Sequence, residues 1–189
     1  MTVADVCGRG AGAAAVADEC RAALHEAFEW TKEPARVAER VNRRLFAGRP
    51  PERFVTAFFG LLDLNEHRLS YISAGHGPTW FYSRALNSLR ELEVHGYPLA
   101  LIVEESFDVA GMTLFDPGDF VAIVTDGFFE WIDIHGDCFG TERLCAQILR
   151  DRDRSAADII GGLRGALLAF ANGVPQRDDL TAVVIKRVS

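Results

Sequence analysis

Two hydrophobic periods divide the chain. In GRGAGAAAVADECRAALHEAFEW, Ala, Val and Leu recur at helical spacing among good helix formers. Glu33-Pro34 puts a proline at a helix start, and PARVAERVNRRLFAG reads as a second helix ending at Gly48. GRPPERF reads as a loop. The period then shortens. FVTAFFGLLDL, LSYISAG, TWFYS, LRELEVH and SFDVAGMTL read as strands, separated by turns at NEHR and HGP and by the irregular apolar stretch GYPLALIV. FDPGD is a turn. FVAIVTDG is the most continuously apolar strand, and it ends in an acid.

FFEWIDIHGDCFG reads as a loop or short hairpin, and TERLCAQILRD as a helix. SAADIIGGLRGALLAFAN is another helix, with Ser155 and Asp158 in a capping-box pattern. RDDLTAVVIKRV is an acidic turn feeding a last strand, as MTVADV is a first. Strands that follow one another in hairpin fashion pair antiparallel, and helices that come in pairs cover sheet faces. The order therefore predicts an α+β fold: a four-layer α-β-β-α sandwich, two antiparallel sheets flanked by helix pairs. Residues 1–189 are read as a single domain.

Composition narrows the function. The formal charge of −7 disfavours a general nucleic-acid binder, which needs a basic surface. No stretch approaches the ~20 apolar residues of a membrane span. The four cysteines, Cys7, Cys20, Cys138 and Cys145, form no C-x-x-C pair and lie beside no His cluster. They are expected to be reduced and partly buried, in a cytoplasmic protein.

The candidate chemistry lies in acids at strand rims. Asp5 follows MTVA, Asp126 ends FVAIVT, and Asp178 and Asp179 open LTAVVIK. Carboxylates are hard oxygen donors suited to Mg²⁺ or Mn²⁺. Taken singly, each acid is better explained by the preference of Asp for turns and caps than as a ligand.

Four blocks in order change that balance: ADVCGRGAGAA, FVTAFFGLLD with YISAGHGP, LFDPGDFVAIVTDGFFE, and RDDLTAVVIKR. Together they resemble the metal-dependent protein phosphatases of type 2C, in the bacterial branch typified by the sporulation phosphatase SpoIIE and the stress-response sigma-factor regulators. The resemblance implies a serine/threonine phosphatase acting on a small phosphorylated regulatory protein, such as an anti-sigma-factor antagonist, through two Mn²⁺ or Mg²⁺ ions and a metal-bridging water. It implies that Asp5 bridges both ions, that the Val6 carbonyl is a further ligand, and that Asp126 and Asp178 hold one ion. Gly8 and Gly10 would let the backbone turn into the helix, Gly127 would leave room beside Asp126, and Asp179 would support Asp178.

No nucleophilic Ser or Cys is implied. Cys7 stands where the branch has Ser, and is expected to pack. Structural hydrogen bonds are expected of His76, Thr56 and Thr125, a solvated side chain of Arg9, and no chemistry of Asp116 and Asp119. The family's earlier Gly-Gly-Asp block, on a preceding strand, has no counterpart before Met1, so the chain is expected to be N-terminally truncated. An alternative keeps the fold without turnover: an impaired phosphatase serving as a phosphoprotein-binding scaffold. Helices 10–30 and 34–47 carry Phe28, Trp30 and Phe46, candidates for a regulatory-domain or dimer contact.

Overall fold

The helical periods form helices and the short periods form strands. The computed structural model describes residues 1–47, 53–107 and 111–189. Its elements are β1 (Thr2–Val6), α1 (Ala11–Trp30), α2 (Pro34–Phe46), β2 (Val55–Asp63), β3 (Arg68–Ala74), β4 (Thr79–Ser83), β5 (Ser88–Glu91), β6 (Gly111–Leu114), β7 (Phe120–Val124), α3 (Gly127–Glu130), α4 (Gly140–Asp151), α5 (Ala156–Ala171) and β8 (Ala182–Lys186). They fall into two compact units: Met1–His76 with Glu93–Leu114, and Gly77–Leu92 with Phe115–Ser189.

In the first unit the sheet order is β1-β2-β3-β6, every pair antiparallel. One face carries Val55, Ala57, Phe59 and Ile72, and the two long helices cover it. They do so because α1 presents Val16, Cys20, Ala23 and Ala27, and α2 presents Val37, Val41 and Leu45, each set spaced by three or four residues. On the other face Phe58 stacks on Tyr71 with ring centroids 5.3 Å apart. Buried Asn42 ties α2 to the apolar connection after β5. Its amide donates to the Ile102 carbonyl and its Oδ1 accepts from Ala100 N–H, both at 2.8 Å.

In the second unit the order is β5-β4-β7-β8, again antiparallel. All five residues of β7 are buried, as its unbroken apolar run predicts for a strand covered on both faces. Its helix-facing side chains, Phe120, Ala122 and Val124, pack with Leu144 and Ile148 of α4. On α5 the contacts recur every fourth residue: Ile159, Leu163, Leu167 and Ala171. The N-cap half of the capping box at α5 is made, and the Asp158 carboxylate turns to the Ser155 hydroxyl. Ser155 Oγ accepts from Asp158 N–H at 3.1 Å and donates to Asp158 Oδ2 at 2.6 Å.

One reading changes, and two run beyond the described residues. Residues 127–130, expected as loop or hairpin, form the single helical turn α3, because the Asp126 carbonyl accepts from Phe129 and Glu130 N–H and Phe128 buries into the helix-side core. An isolated bridge pairs Ile132 with Cys138, which preserves part of the hairpin. Helix α2 ends at Phe46, and the expected stop at Gly48 and the loop residues 48–52 lie outside the described residues. Residues 108–110 of the SFDVAGMTL strand also lie outside them, and β6 begins at Gly111.

The Pro-Gly-Asp turn before β7 is architectural. Gly118 takes φ +96°, open to glycine at little cost, and a Cβ there would collide with the Arg84 side chain. Asp119 is buried, and its carboxylate accepts from Arg84 N–H at 2.7 Å and Asp116 N–H at 2.9 Å. Asp119→Ala removes the shared acceptor of both N–H groups, and is expected to lower unfolding free energy by roughly 1–2 kcal/mol, measured by urea denaturation.

Candidate functional site

The first unit gathers the ADVCGRGAG turn at one sheet end. Asp5 pairs with Thr56 in the β1–β2 register, so the two side chains share a face. Thr56 Oγ1 and His76 Nδ1, 3.3 Å apart, share a hydrogen bond. Ser73 Oγ donates to the His76 carbonyl, which holds the ring's backbone in place. Asp5 is half-buried and its side chain is engaged.

Beyond β1 the ladder runs one step further, Cys7 N–H donating to Phe54 O at 3.0 Å. Gly8 and Gly10 take φ +98° and +81°, as the tight turn into α1 requires. The Gly10 carbonyl accepts from Ala13 and Ala14 N–H and starts the helix.

Arg53 is a residue the sequence reading missed. Its guanidinium lies over this turn, so that a Cβ at Gly12 would meet it at 2.8 Å and one at Gly8 at 3.6 Å. One of its terminal nitrogens, Nη1, is buried without a hydrogen-bond partner among the described residues. Nothing in GRPPERF signals this: the approach spans 41 positions of chain. Cys7 differs from expectation: it is exposed, because β1 has ended and its side chain projects from the turn instead of packing. All four cysteines are free, and Cys138 is also exposed, where partial burial was expected.

The second unit gathers the other acids. Beyond the Val124–Ala182 pair, Thr125 N–H donates to Thr181 O at 3.0 Å and Thr181 N–H to Thr125 Oγ1 at 3.1 Å. Thr125 Oγ1 also donates to the Asp179 carbonyl at 3.4 Å. This clasp sets half-buried Asp126, the first residue before α3, beside the exposed pair Asp178 and Asp179. Gly127 allows the approach. A Cβ there would collide with the Asp179 carbonyl oxygen, so the room it leaves is for backbone on the facing strand. Asp179 N–H donates to Asp178 Oδ1 at 3.0 Å, and Gln176 Nε2 to the Asp178 carbonyl at 2.7 Å.

The structure thus brings Asp126, Asp178 and Asp179 to one rim within the second unit, and sets Asp5 and Val6 at the end of β1 in the first. Both rims offer hard oxygen donors, the type Mg²⁺ and Mn²⁺ take. Among the described residues, no three or more His, Cys, Asp or Glu side chains are grouped so as to hold an ion. None of the helices is long and apolar enough to cross a membrane, among the described residues.

A family model, stage II sporulation protein E (SpoIIE), matches residues 1–188. The chain belongs to the SpoIIE family. Phosphoserine phosphatase RsbU of Bacillus subtilis is 26% identical over 99% of this chain and 55% of its own length. The chain therefore spans about half of that relative. The SiaA-PP2C domain of Pseudomonas aeruginosa has the same fold, with TM-score 0.85 at 19% identity over 98% of this chain and 74% of that one. So does the catalytic domain of the serine/threonine protein phosphatase PstP, solved with two manganese ions: TM-score 0.60 at 15% identity, over 97% of this chain and 84% of that one. These matches agree with the two antiparallel sheets and their helices.

In this SpoIIE-family chain, His76 is 2% exposed, and no group among the described residues reaches its Nε2. Burial pushes its imidazole pKa down from 6.5 to about 4. The ring of the folded protein is neutral above about pH 4. A depressed folded pKa adds stability that is present above pH 6.5 and is lost as pH falls through about 4. The wild type is expected to lose roughly 2–3 kcal/mol more than His76→Gln between pH 7 and 4.5, read from urea unfolding at each pH.

Proposed function

We propose that this chain is a metal-dependent serine/threonine phosphatase acting on a small phosphorylated regulatory protein of the kind that controls a sigma factor. The observation that carries the reading is the clasp by which Thr125 and Gly127 bring the main chain at Asp126 up to the Asp179 carbonyl, next to Asp178 in sequence. Two carboxylate-bearing segments far apart in sequence converge there, next to no other evident chemistry. The name of the B. subtilis relative, a phosphoserine phosphatase, supports the substrate class. The manganese ions of the PstP structure support the cofactor.

In this reading Asp126 and Asp178 would hold one Mn²⁺ or Mg²⁺ ion, and Asp5 with the Val6 carbonyl would offer oxygen donors of the same hard type. When bound, such ions lower the pKa of water and offset charge on phosphoryl oxygens. The rest falls to the chain. Asp179 orients Asp178 through its backbone N–H, and supports it as an outer carboxylate. Arg53 offers a guanidinium fork to phosphoryl oxygens beside the Gly8–Gly12 turn. His76, neutral above about pH 4, adds no charge and serves to fix Thr56 opposite Asp5.

Phosphate release from an aryl phosphate and from a phosphoserine protein, in Mn²⁺, tests the proposal. Wild type is expected to turn over both and to stop on chelation. Asp126→Asn should be slower by a factor of about 10²–10³, the loss of several kcal/mol of charge stabilisation. Equal rates in both proteins would reject the assignment.

A further inference from the structure

The second unit carries a basic cleft that the metal-rim reading does not use. It has a volume of about 470 Å³ and is lined by Arg84, Arg152, Arg154, Lys186 and Arg187, with Asp153 the one acid. That size is typical of ligand clefts. Phe120 pairs with Lys186 and Val124 with Ala182, so the cleft lies at the opposite end of the β7–β8 ladder from Asp126. Four residues of strand separate the two ends, about 13 Å.

The concentration of cations is unexpected in a chain of net charge −7. The segment RDRDR alternates charge in sequence, yet the fold sorts it. Asp151 turns inward, 2% exposed, where it accepts from Gln147, and a Cβ at Gly162 would collide with its carboxylate. Arg152 and Arg154 stay outside.

Main-chain oxygens then hold the cations in place. Lys186 Nζ donates to Arg152 O at 2.6 Å and Arg154 O at 2.7 Å, and Arg152 to Leu149 O at 2.6 Å. Arg187 donates to Phe115 O at 2.6 Å. The bonds to the Leu149, Arg152 and Arg154 carbonyls lie at the C-terminal end of α4, which is one reason for cations here. Neutral carbonyls orient a charge without cancelling it. Arg84 and Lys186 have no ion-pair partner among the described residues. Arg154 pairs with Asp151 at 3.2 Å, and Arg152 reaches Asp153 only at 3.9 Å. Arg84 itself is positioned by its N–H on Asp119 and by its packing over Gly118. Ser155 also lines the cleft, so the N-terminus of the 16-residue α5 adds its positive end.

We propose that this cleft docks a short acidic segment of a partner protein. Ordered cations around a concave site suit a ligand that brings several carboxylates at once. A long polyanion suits it less, because the net charge of −7 opposes an anion that extends beyond the cleft's cations.

Fluorescence anisotropy of a labelled hexaglutamate peptide tests this with the whole chain. Wild type is expected to bind at low ionic strength and to release the peptide as salt rises. Arg84→Glu combined with Arg154→Gln should bind roughly tenfold more weakly or worse while still unfolding in one cooperative transition, at a lower midpoint because Arg154 pairs with buried Asp151. If that variant does not fold, Arg84→Gln with Arg154→Gln makes the same comparison with a smaller charge change. No binding by wild type, or equal binding by a folded variant, would overturn the proposal. So would a short duplex DNA or an anionic phosphatidylserine vesicle that binds more tightly than the peptide.

Discussion

The chemistry of the second unit depends on one extra step of the β7–β8 ladder. After the last regular pair, Val124 with Ala182, Thr125 bonds Thr181 through both its backbone N–H and its hydroxyl. A valine, of similar shape, would keep the backbone bond and lose the hydroxyl's two. The hydroxyl carries the pairing as far as the Asp179 carbonyl, and Gly127 lets that carbonyl approach. Without this clasp Asp126 and the Asp178–Asp179 turn would be two loop ends. With it they share a rim, at the C-terminal end of a strand whose five residues are all buried.

Acids serve two purposes in this chain, and burial separates them. Asp119 and Asp151 are almost fully buried and receive backbone or side-chain donors, which is how a buried carboxylate is made tolerable. Asp5, Asp126, Asp178 and Asp179 sit at strand ends, partly or fully exposed. The basic cleft is the counterpart of the same sorting. Turning Asp151 inward leaves Arg152 and Arg154 outside, and Asp119 sets Arg84 beside them.

Much of this was legible in the sequence where a residue pattern is local. The i, i+4 series Ile159, Leu163, Leu167, Ala171 identifies α5 and its buried stripe, and Ser155 with Asp158 marks its start. The run FVAIV identifies the most continuously apolar strand, and all five of its residues are buried. Gly8 and Gly10 identify a turn needing positive φ. Non-local placements were not legible. Arg53 reaches the glycine turn from a loop 41 residues beyond Gly12, and four residues of α3 are too few to show a period. Asp119 looked like turn punctuation, because a carboxylate that anchors two backbone N–H groups has the same sequence signature as one that merely caps. The acids of the candidate site stood out only through their order, since each alone is an ordinary strand-end Asp. Cys7, which stands where the branch has Ser, was expected to pack, but β1 stops one residue too soon and leaves it exposed.

The central claim is that Asp126 and Asp178 act as one donor set for a divalent ion. Calorimetric titration of Mn²⁺ into wild type, Asp126→Asn, Asp178→Asn and the double variant tests it most directly. Two carboxylates on one ion do not contribute independently. The account predicts that wild type binds Mn²⁺, that each single change weakens binding by about tenfold or more, and that the double variant is little worse than either single one. Failure of wild type to bind at millimolar Mn²⁺, or single losses that add fully in the double variant, would contradict it.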